Sequence, residues 1–486
     1  MKPLLKFLSD EEIQLIHRTS LRILSDLGMR MPLEEALQLM NQAGASICTD
    51  HIVKVPEGLV QDAIEKAPKR KDITLYGRDP RNDVKFEDHD PVIACMTMAT
   101  HVVDPHTRMR RPATNADLAE LTRVADHLEQ IMINGGLGTP QDVPGEVNDW
   151  FTWATTIKNT SKHITGGVLG RLGVRDAMAM GSLAAGGEEA FLKRPFISGW
   201  VLTLPPLGID ENSLEALIEM SCLNIPSMVS SGPILGASSP VTIAGTVAQA
   251  HAEILACLVL SQVAHPGAPF IYTSFARGVD MKTIAVSMAC PEFAILKVAM
   301  AQMGHFLGLP VRMPGMLRDS KVLDAQAGFE TGMVGTVTAL TSDILDAMQL
   351  DSDLLVDFAD LLFCNECMGA LKRLSKEVIV NDQTLATEVL KEVGPGGSFL
   401  GHDHTRRNFR KELWQPRLME RRNWEKWEKD GGLSIAEVAQ RKVPEILAME
   451  PKDRLSPEVE LQIDAIVKRA ERDFDLRSPS QRDLRL

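Results

Sequence analysis

The chain has 486 residues, a hydrophobic content of 44% and a formal net charge of −13, from 65 acidic and 52 basic side chains. It is long and apolar enough for one large domain with additions or for two to three ordinary domains. The acidic balance argues against nucleic acid as a partner and mildly favours cationic ligands. Seven cysteines scattered over this length predict no disulfide framework and suit a reducing compartment.

The sequence favours a cytoplasmic protein without a membrane partner. The N-terminal residues lead directly into the helix signal Ser9-Asp10-Glu11-Glu12, with no apolar stretch of signal-peptide length. The most apolar segment, residues 254–264, falls short of the ~20 residues that a membrane-spanning helix needs. We interpret that segment as a buried helix.

The first 125 residues are predicted to form an α/β cap module rather than a cofactor-binding fold. Apolar residues recur at helical spacing in three segments, and short alternating runs bounded by turn residues follow them. The predicted helices cover residues 9–27, 33–43 and 56–67, and the predicted strands cover residues 73–76, 91–94 and 101–104.

From Asn115, a good helix N-cap residue, helix and strand alternate in units of about 30 to 40 residues, as in parallel βαβ construction. Six clear units and a weaker seventh and eighth before Leu390 predict an α/β fold, a (β/α)8 TIM barrel, because a doubly wound sheet would rarely continue so regularly. We assign the catalytic barrel to residues 126–415 and a helical C-terminal extension to residues 416–486. The predicted barrel strands are residues 131–134, 164–167, 196–200, 227–229, 270–273 and 310–312, and the predicted tail helices are residues 435–443 and 457–472.

The sequence contains no convincing metal or corrinoid motif. Cys364 and Cys367 form the only Cys-x-x-Cys pair, and no second pair or matching histidines follow, which favours buried thiols. His251-Ala252-Glu253 lacks the Pro-Cys-x-x-Cys that completes a zinc deaminase site. Asp104-Pro105-His106 begins like a corrinoid-binding motif, but Met109 stands where that motif has glycine. We therefore expect no metal site and no cobalamin carried by the chain itself.

The polar residues that end the predicted strands are mostly small residues and hydroxyls, with few acids or bases. In a barrel enzyme the active site lies at these strand ends. No His/Asp/Ser constellation or paired carboxylate is present there for acid–base chemistry, and no strand ends in a lysine that a Schiff-base aldolase would need.

Residues 232–269 carry the most specific pattern in the chain. They contain Gly236-Ala237, Pro240-Val241-Thr242, Ala244-Gly245, Ala252-Glu253 and Gln262 followed by Pro266-Gly267-Ala268-Pro269. This pattern resembles the signature of the trimethylamine methyltransferase superfamily. Further segments resemble that superfamily in the same order: Leu75-Tyr76-Gly77-Arg78-Asp79-Pro80, Arg111-Pro112-Ala113-Thr114, Thr139-Pro140-Gln141-Asp142-Val143-Pro144, Asp319-Ser320-Lys321, residues 324–330 and Gly401-His402-Asp403-His404-Thr405.

The resemblance implies a TIM-barrel enzyme that moves a methyl group from a methylated amine to the cob(I)alamin of a partner corrinoid protein. Relatives that use trimethylamine carry pyrrolysine, which this sequence lacks. It is therefore similar to the non-pyrrolysine branch, whose members demethylate quaternary amines such as glycine betaine, proline betaine or carnitine. The expected activity is that of a quaternary amine:corrinoid protein Co-methyltransferase without a tightly bound cofactor of its own.

This chemistry agrees with the absence of acid–base residues, because cob(I)alamin is a strong nucleophile and a quaternary ammonium leaves as a neutral amine. A quaternary ammonium ligand is bound by aromatic faces, and the aromatic residues near predicted strand ends are Trp200, Tyr272 and Phe275. Arg312 is our candidate for a substrate carboxylate. Glu330 is a further candidate, and ordinary core or ion-pair roles remain open for all five.

Other residues are expected at the barrel mouth, where the partner protein would dock. These are His402, His404, Asp324 and Gln326. Relatives have a histidine near residues 341–346 that this chain lacks, which leaves room for a bulkier or less polar amine than glycine betaine. A non-catalytic barrel that binds methylated amines for regulation is the alternative, and the sequence leaves the oligomeric state open, a homo-oligomer included.

Overall fold

The structure is a computed structural model that describes residues 5–86, 91–346 and 348–475. Eight parallel strands close into a barrel, since each strand pairs with the next and the eighth pairs with the first. The predicted (β/α)8 fold class is thus confirmed. The barrel strands are β1 (Val92–Thr97), β2 (Ile131–Leu137), β3 (His163–Gly167), β4 (Ile197–Leu202), β5 (Ser227–Ser231), β6 (Phe270–Ser274), β7 (Val311–Pro314) and β8 (Ile344–Asp346).

A ring of helices surrounds the strands, with a long helix after each strand. The helices are α1 (Asn115–His127), α2 (Asn148–Asn159), α3 (Gly170–Ala185), α4 (Glu211–Cys222), α5 (Ile243–Ala264), α6 (Pro291–Phe306), α7 (Ala325–Ala339) and α8 (Phe358–Leu374). α5 is long and apolar enough to cross a membrane, but 83% of its most apolar window is buried inside the protein. A helix that is apolar on all sides and buried is a core helix, as the sequence predicted.

Side chains along each strand point alternately into the barrel and towards the helices. Ala94, Ile133, Met228 and Ile271 form one buried interior cluster. Val229, which follows Met228 on the same strand, packs in a separate cluster with the helices. This alternation decides which strand-end residues can reach a ligand.

The strand Val92–Thr97 corrects one sequence-based assignment, because the sequence pattern predicts residues 91–94 as part of the cap module. All six of its residues are buried, since a parallel barrel strand is covered on both faces and reads as a continuous apolar run. The first barrel unit therefore begins before residue 126. Helix α1 is capped by Thr114, whose side chain accepts from Asp117 N, rather than by Asn115. The division of the chain into three domains stays a prediction.

Before β1, the chain covers one side and one end of the barrel. The helices Asp10–Asp26, Glu34–Gln42 and Glu57–Lys66 pack against α5 together with a small antiparallel sheet. The hairpin formed by Thr74–Leu75 and Val84–Lys85 places Leu75 and Phe86 in the interior cluster. This hairpin closes the end of the barrel at which the strands begin.

After α8 the chain makes a long excursion and then returns to the barrel. The short helices Asp382–Leu385, Thr387–Val393 and Asp403–Glu412 belong to the excursion. The predicted tail helices are confirmed as Ile435–Leu447 and Pro457–Asp475, and the rest of the predicted extension, residues 476–486, lies outside the described residues.

Candidate functional site

The upper layer of the barrel interior, at the strand ends, brings together a cation, a carboxylate and two aromatic rings. Arg312 lies on β7 and Asp346 ends β8, while Trp200 lies on β4 and Phe275 follows β6. The Arg312 guanidinium carbon lies 5.0 Å from the ring centroids of both Trp200 and Phe275. Three of the five predicted substrate-binding residues are therefore neighbours.

Arg312 is already neutralised by a buried carboxylate. Its Nε donates to Asp346 Oδ2 at 2.5 Å, and Nη2 donates to the same oxygen. Arg312 is 2% exposed and Asp346 is fully buried; burial raises the pKa of Asp346, and the positive charge of Arg312 opposes this increase. A substrate carboxylate would thus share Arg312 with Asp346, a partner that the sequence did not suggest.

Several oxygens in this layer have no hydrogen-bond partner within the described part of the chain. They are Asp346 Oδ1, Gln349 Oε1 and Ser230 Oγ, all buried. Buried polar atoms are normally satisfied, so these oxygens are available to water or to polar groups of a ligand. The site is rich in acceptors, which suits a cationic ligand.

The loop after β8 adds a second carboxylate, which is half-buried. Asp353 accepts from Thr97 Oγ1 at 2.9 Å, and burial raises its pKa to about 7. Asp351, Ser352 and Asp353 all have positive φ, from 53° to 75°. Non-glycine residues seldom adopt this conformation, and such strain is often found at functional sites.

A cavity of about 340 Å³ opens beside Trp200 over the ends of β1 to β4. Its floor is made by glycines, and Gly135 cannot be replaced without a clash, because a Cβ there would lie 2.4 Å from Met96 Cβ. On α2, Asp149 also lines the cavity, and burial raises the pKa of its carboxyl group.

Lys297 fixes the backbone on both sides of Phe275. This residue of α6 is completely buried, and its Nζ donates to Ser274 O at 2.8 Å and to Ala276 O at 2.7 Å. Since the aromatic ring lies between two anchored residues, its position beside Arg312 is held by the backbone rather than by its own contacts alone.

Tyr272 does not line this site, and that prediction is corrected. Its side chain packs with the helix-facing cluster, and its hydroxyl lies 2.9 Å from His251 Nδ1. The neighbours Ile271 and Thr273 instead face the interior, where Thr273 Oγ1 accepts from Arg312 Nη1 at 3.3 Å. The reason is the two-residue period of a strand.

Glu330, Gln326 and Asp324 lie at the mouth but organise a loop. Glu330 accepts from the backbone N–H groups of Asp319 and Ser320 at 2.9 and 3.1 Å, and from Gln326 Nε2 at 2.7 Å. Asp324 caps α7 by accepting from Ala327 N. The structure therefore gives these three residues a supporting role for the loop that follows β7.

His402 and His404 lie in the excursion after α8, not in a loop that follows a barrel strand. His402 Nδ1 accepts from His404 N at 3.0 Å, and His402 Nε2 lies 3.1 Å from a Glu392 carboxylate oxygen. Each barrel helix runs opposite to its strand, so α8 ends at the face of the barrel remote from the mouth. The excursion starts there, which removes the basis for placing these histidines at the mouth.

Sequence reasoning missed Asp346, Asp353 and Asp149. Asp346 ends a strand, so the strand-end rule would have found it if the short eighth strand had been recognised. Asp353 follows in a loop with no sequence signal of its own. Asp149 is the second residue of α2, and only the folded barrel brings it beside β3.

Comparison with known proteins gives a consistent family assignment. The family model of trimethylamine methyltransferase (MTTB) matches residues 1–475. The chain is 31% identical over 469 residues to the trimethylamine methyltransferase MttB of Desulfitobacterium hafniense, covering 96% of this chain and 94% of that protein. It is 28% identical over 469 residues to the glycine betaine methyltransferase of Desulfitobacterium hafniense, with 96% of this chain and 97% of that protein covered.

A solved structure shares the fold. The monomethylamine methyltransferase of Methanosarcina barkeri (MtmB) superposes with a TM-score of 0.50 and 12% sequence identity, over 90% of this chain and 94% of that one. At this identity the likeness concerns the fold alone.

Proposed function

The chain belongs to the trimethylamine methyltransferase family, and from this membership we propose that it transfers a methyl group from a quaternary amine to a cytoplasmic corrinoid protein. The observation that carries the proposal is the mouth of the barrel, where the ring of Trp200 lines an open cavity close to the buried carboxylate of Asp346. Aromatic faces and unpaired acceptors suit a methylated cation.

The reaction needs no proton transfer. The partner's cob(I)alamin supplies the nucleophile for displacement at the methyl carbon, and the electron pair of the broken C–N bond leaves on nitrogen as a neutral tertiary amine. The protein has to orient one N-methyl group, hold the cation and exclude water, so that proximity and electrostatics provide the rate. Residues for general acid–base catalysis are not required.

Arg312 supports a substrate that carries a carboxylate as well as a quaternary nitrogen. Among the described residues, its Nη1 makes a single long hydrogen bond, of 3.3 Å, to Thr273 Oγ1. A substrate carboxylate can accept a hydrogen bond from Nη1 while Asp346 continues to accept from Nε. A betaine-like amine, such as glycine betaine, proline betaine or carnitine, meets this pattern better than trimethylamine does.

The rim of the mouth supports docking of a protein partner. Exposed apolar side chains stand in the loops that follow five of the strands, and each is more than half exposed. They are Met98, Leu204, Val241, Met281, Ile284 and Val322. Clusters of exposed apolar residues mark interaction sites, and a corrinoid carrier has to approach this rim to reach the substrate.

The test is an anaerobic methyl-transfer assay. Purified protein and a corrinoid protein in the cobalt(I) state would be mixed with glycine betaine, proline betaine, carnitine or trimethylamine, and methylation followed by absorbance. We expect transfer from one carboxylated quaternary amine, and a KM at least ~10-fold higher in Arg312→Lys, because lysine cannot replace the planar guanidinium. Arg175→Lys, on the outer face of α3, is the control.

Transfer from no amine, despite measurable amine binding, would refute the proposal. It would favour a non-catalytic barrel that binds methylated amines.

A further inference from the structure

The cavity beside Trp200 contains a carboxylate, that of Asp149, to which the proposed function gives no role. Asp149 is half-buried on α2. Within the described residues its carboxylate makes no hydrogen bond or ion pair, and burial alone raises its pKa. A Cβ at Gly167 would lie 3.7 Å from both of its carboxylate oxygens. Gly167 is the register partner of Trp200 between β3 and β4, which places Asp149 and Trp200 on the same cavity.

The space between the rings of Trp200 and Phe275 is already occupied by the Arg312 guanidinium and cannot hold the substrate cation as well. Arg312 lies 5.0 Å from both rings, so a quaternary ammonium between them would meet a like charge in a buried place. The cavity on the other side of Trp200 is instead lined by the Asp149 carboxylate and by an aromatic side chain, both of which attract a cation.

We propose that Asp149 is the counter-ion for the quaternary ammonium head, which binds in the cavity between Asp149 and Trp200. This deepens the proposed function and rests on it for the substrate class. A carboxylated substrate then spans the mouth with its cation at Asp149 and its carboxylate towards Arg312. Gly166 and Gly167 leave the room that the methyl groups need.

Binding of two isosteres tests Asp149 without any methyl transfer. Choline and 3,3-dimethylbutan-1-ol have the same shape, but only choline is charged. We expect the wild-type protein to bind choline on the order of 100-fold more tightly, as one ion pair in a partly buried site allows, and Asp149→Asn to lose this preference. Glu146→Gln, an exposed acid three residues away, should keep it.

Equal binding of the two compounds by the wild-type protein, or an unchanged preference in Asp149→Asn, would overturn the inference. Charge-selective binding without methyl transfer would uphold the Asp149 subsite and refute the proposed function, so the two failures are distinguishable.

A second, independent observation concerns residues 376–412, which we name the arm. None of its residues is buried. It exposes six large aliphatic side chains by more than half, with Val378 82% and Leu400 88% exposed; the others are Ile379, Val380, Leu385 and Leu390. Its first two helices have four and seven residues, and isolated helices this short are marginal in water.

The arm starts and ends at the barrel end remote from the mouth. Arg373, near the end of α8, donates from Nε and Nη2 to Glu412 O at 3.0 and 2.9 Å, which closes the base of the arm. Beside it, Lys372 Nζ donates to Gln130 O, just before β2 begins. A corrinoid partner has to reach the opposite end, whereas a second copy bound here leaves both mouths open.

Area and charge agree with a second copy. The six aliphatic side chains expose on the order of 600 Å², and with the polar residues between them the arm reaches the ~800 Å² per partner of a stable interface. The arm has six basic and six acidic residues, so it is neutral in a chain of net charge −13. We infer that the arm is a self-association surface that binds a second copy of this chain.

Sedimentation velocity of the full chain at micromolar concentrations tests the arm. We expect an oligomer in the wild-type protein and a dissociation constant raised about 100-fold or more in Val378→Asp/Val380→Asp, because burying two unpaired charges is costly. Leu461→Asp, a 69% exposed leucine on the helix Pro457–Asp475, is the matched control and should remain oligomeric. Circular dichroism would verify that each variant is folded.

A monomeric wild-type protein would refute this inference, as would a double variant that stays oligomeric. So would loss of corrinoid-protein binding with an unchanged oligomeric state, since the arm would then serve the partner.

Discussion

Replacing Asp346 by asparagine would leave the guanidinium of Arg312 buried without a neutralising charge. Their side chains are 0% and 3% exposed, so water cannot compensate, and breaking such a pair costs about 3–5 kcal/mol. Stacking on two aromatic rings and the bond to Thr273 Oγ1 retain part of the stabilisation. We therefore expect a loss of about 3 kcal/mol in the free energy of unfolding. For a chain of this size that corresponds to a decrease of roughly 3 °C in Tm if it unfolds as one unit.

Urea unfolding of a double-mutant cycle measures this coupling. The cycle compares Asp346→Asn, Arg312→Met and the combination of both with the wild-type protein. We expect the double variant to be more stable than the sum of the single losses by about 2 kcal/mol, because it contains no unpaired buried charge. Additive losses would refute the idea that the two charges depend on each other.

Three further predictions concern other parts of the barrel. Asp360→Asn should lower the free energy of unfolding in urea by about 3–5 kcal/mol, because it leaves the fully buried Arg318 guanidinium without a neutralising charge. A loss below about 1 kcal/mol would contradict this. Burial lowers the pKa of His163 to about 4. As the pH falls below about 6.5, His163 is therefore protonated in the unfolded chain while it stays neutral in the folded protein. The free energy of unfolding should then decrease by about 2 kcal/mol between pH 7 and pH 5 from this group, and His163→Gln should show a correspondingly smaller decrease. Tyr272→Phe should lower stability by about 1–3 kcal/mol without changing the Kd for an amine, whereas Trp200→Leu should raise that Kd at least ~10-fold; the reverse pattern would restore Tyr272 to the site.

The sequence predicted the architecture well because α/β units repeat, and each unit has its own apolar period and turn residues. It failed where a barrel strand is atypical. The run Val92–Thr97 has no alternation because both of its faces are buried, so it was grouped with the cap. The three-residue strand Ile344–Asp346 is too short to show any period.

The candidate site was predicted in part because strand ends are visible in sequence, but the direction of a side chain is not. Trp200 and Arg312 were found at strand ends and do face the interior. Tyr272 is also at a strand end, but it is one residue away from the inward-facing positions Ile271 and Thr273, so its side chain faces α5. Partners such as Asp346 and Asp149 depend on which units become neighbours when the barrel closes, and no local pattern encodes that.

Closure of the barrel also constrains how the chain can fold during synthesis. Val92 pairs with Ile344 across the last seam of the sheet, so β1 has no partner on that side until the ribosome has added some 250 further residues. At translation rates of about 5–20 residues per second that interval lasts roughly 12 to 50 seconds. During this time an apolar strand edge is open to other chains. Expression yield should therefore respond to chaperone supply and to growth temperature more than the stability of the finished barrel would suggest.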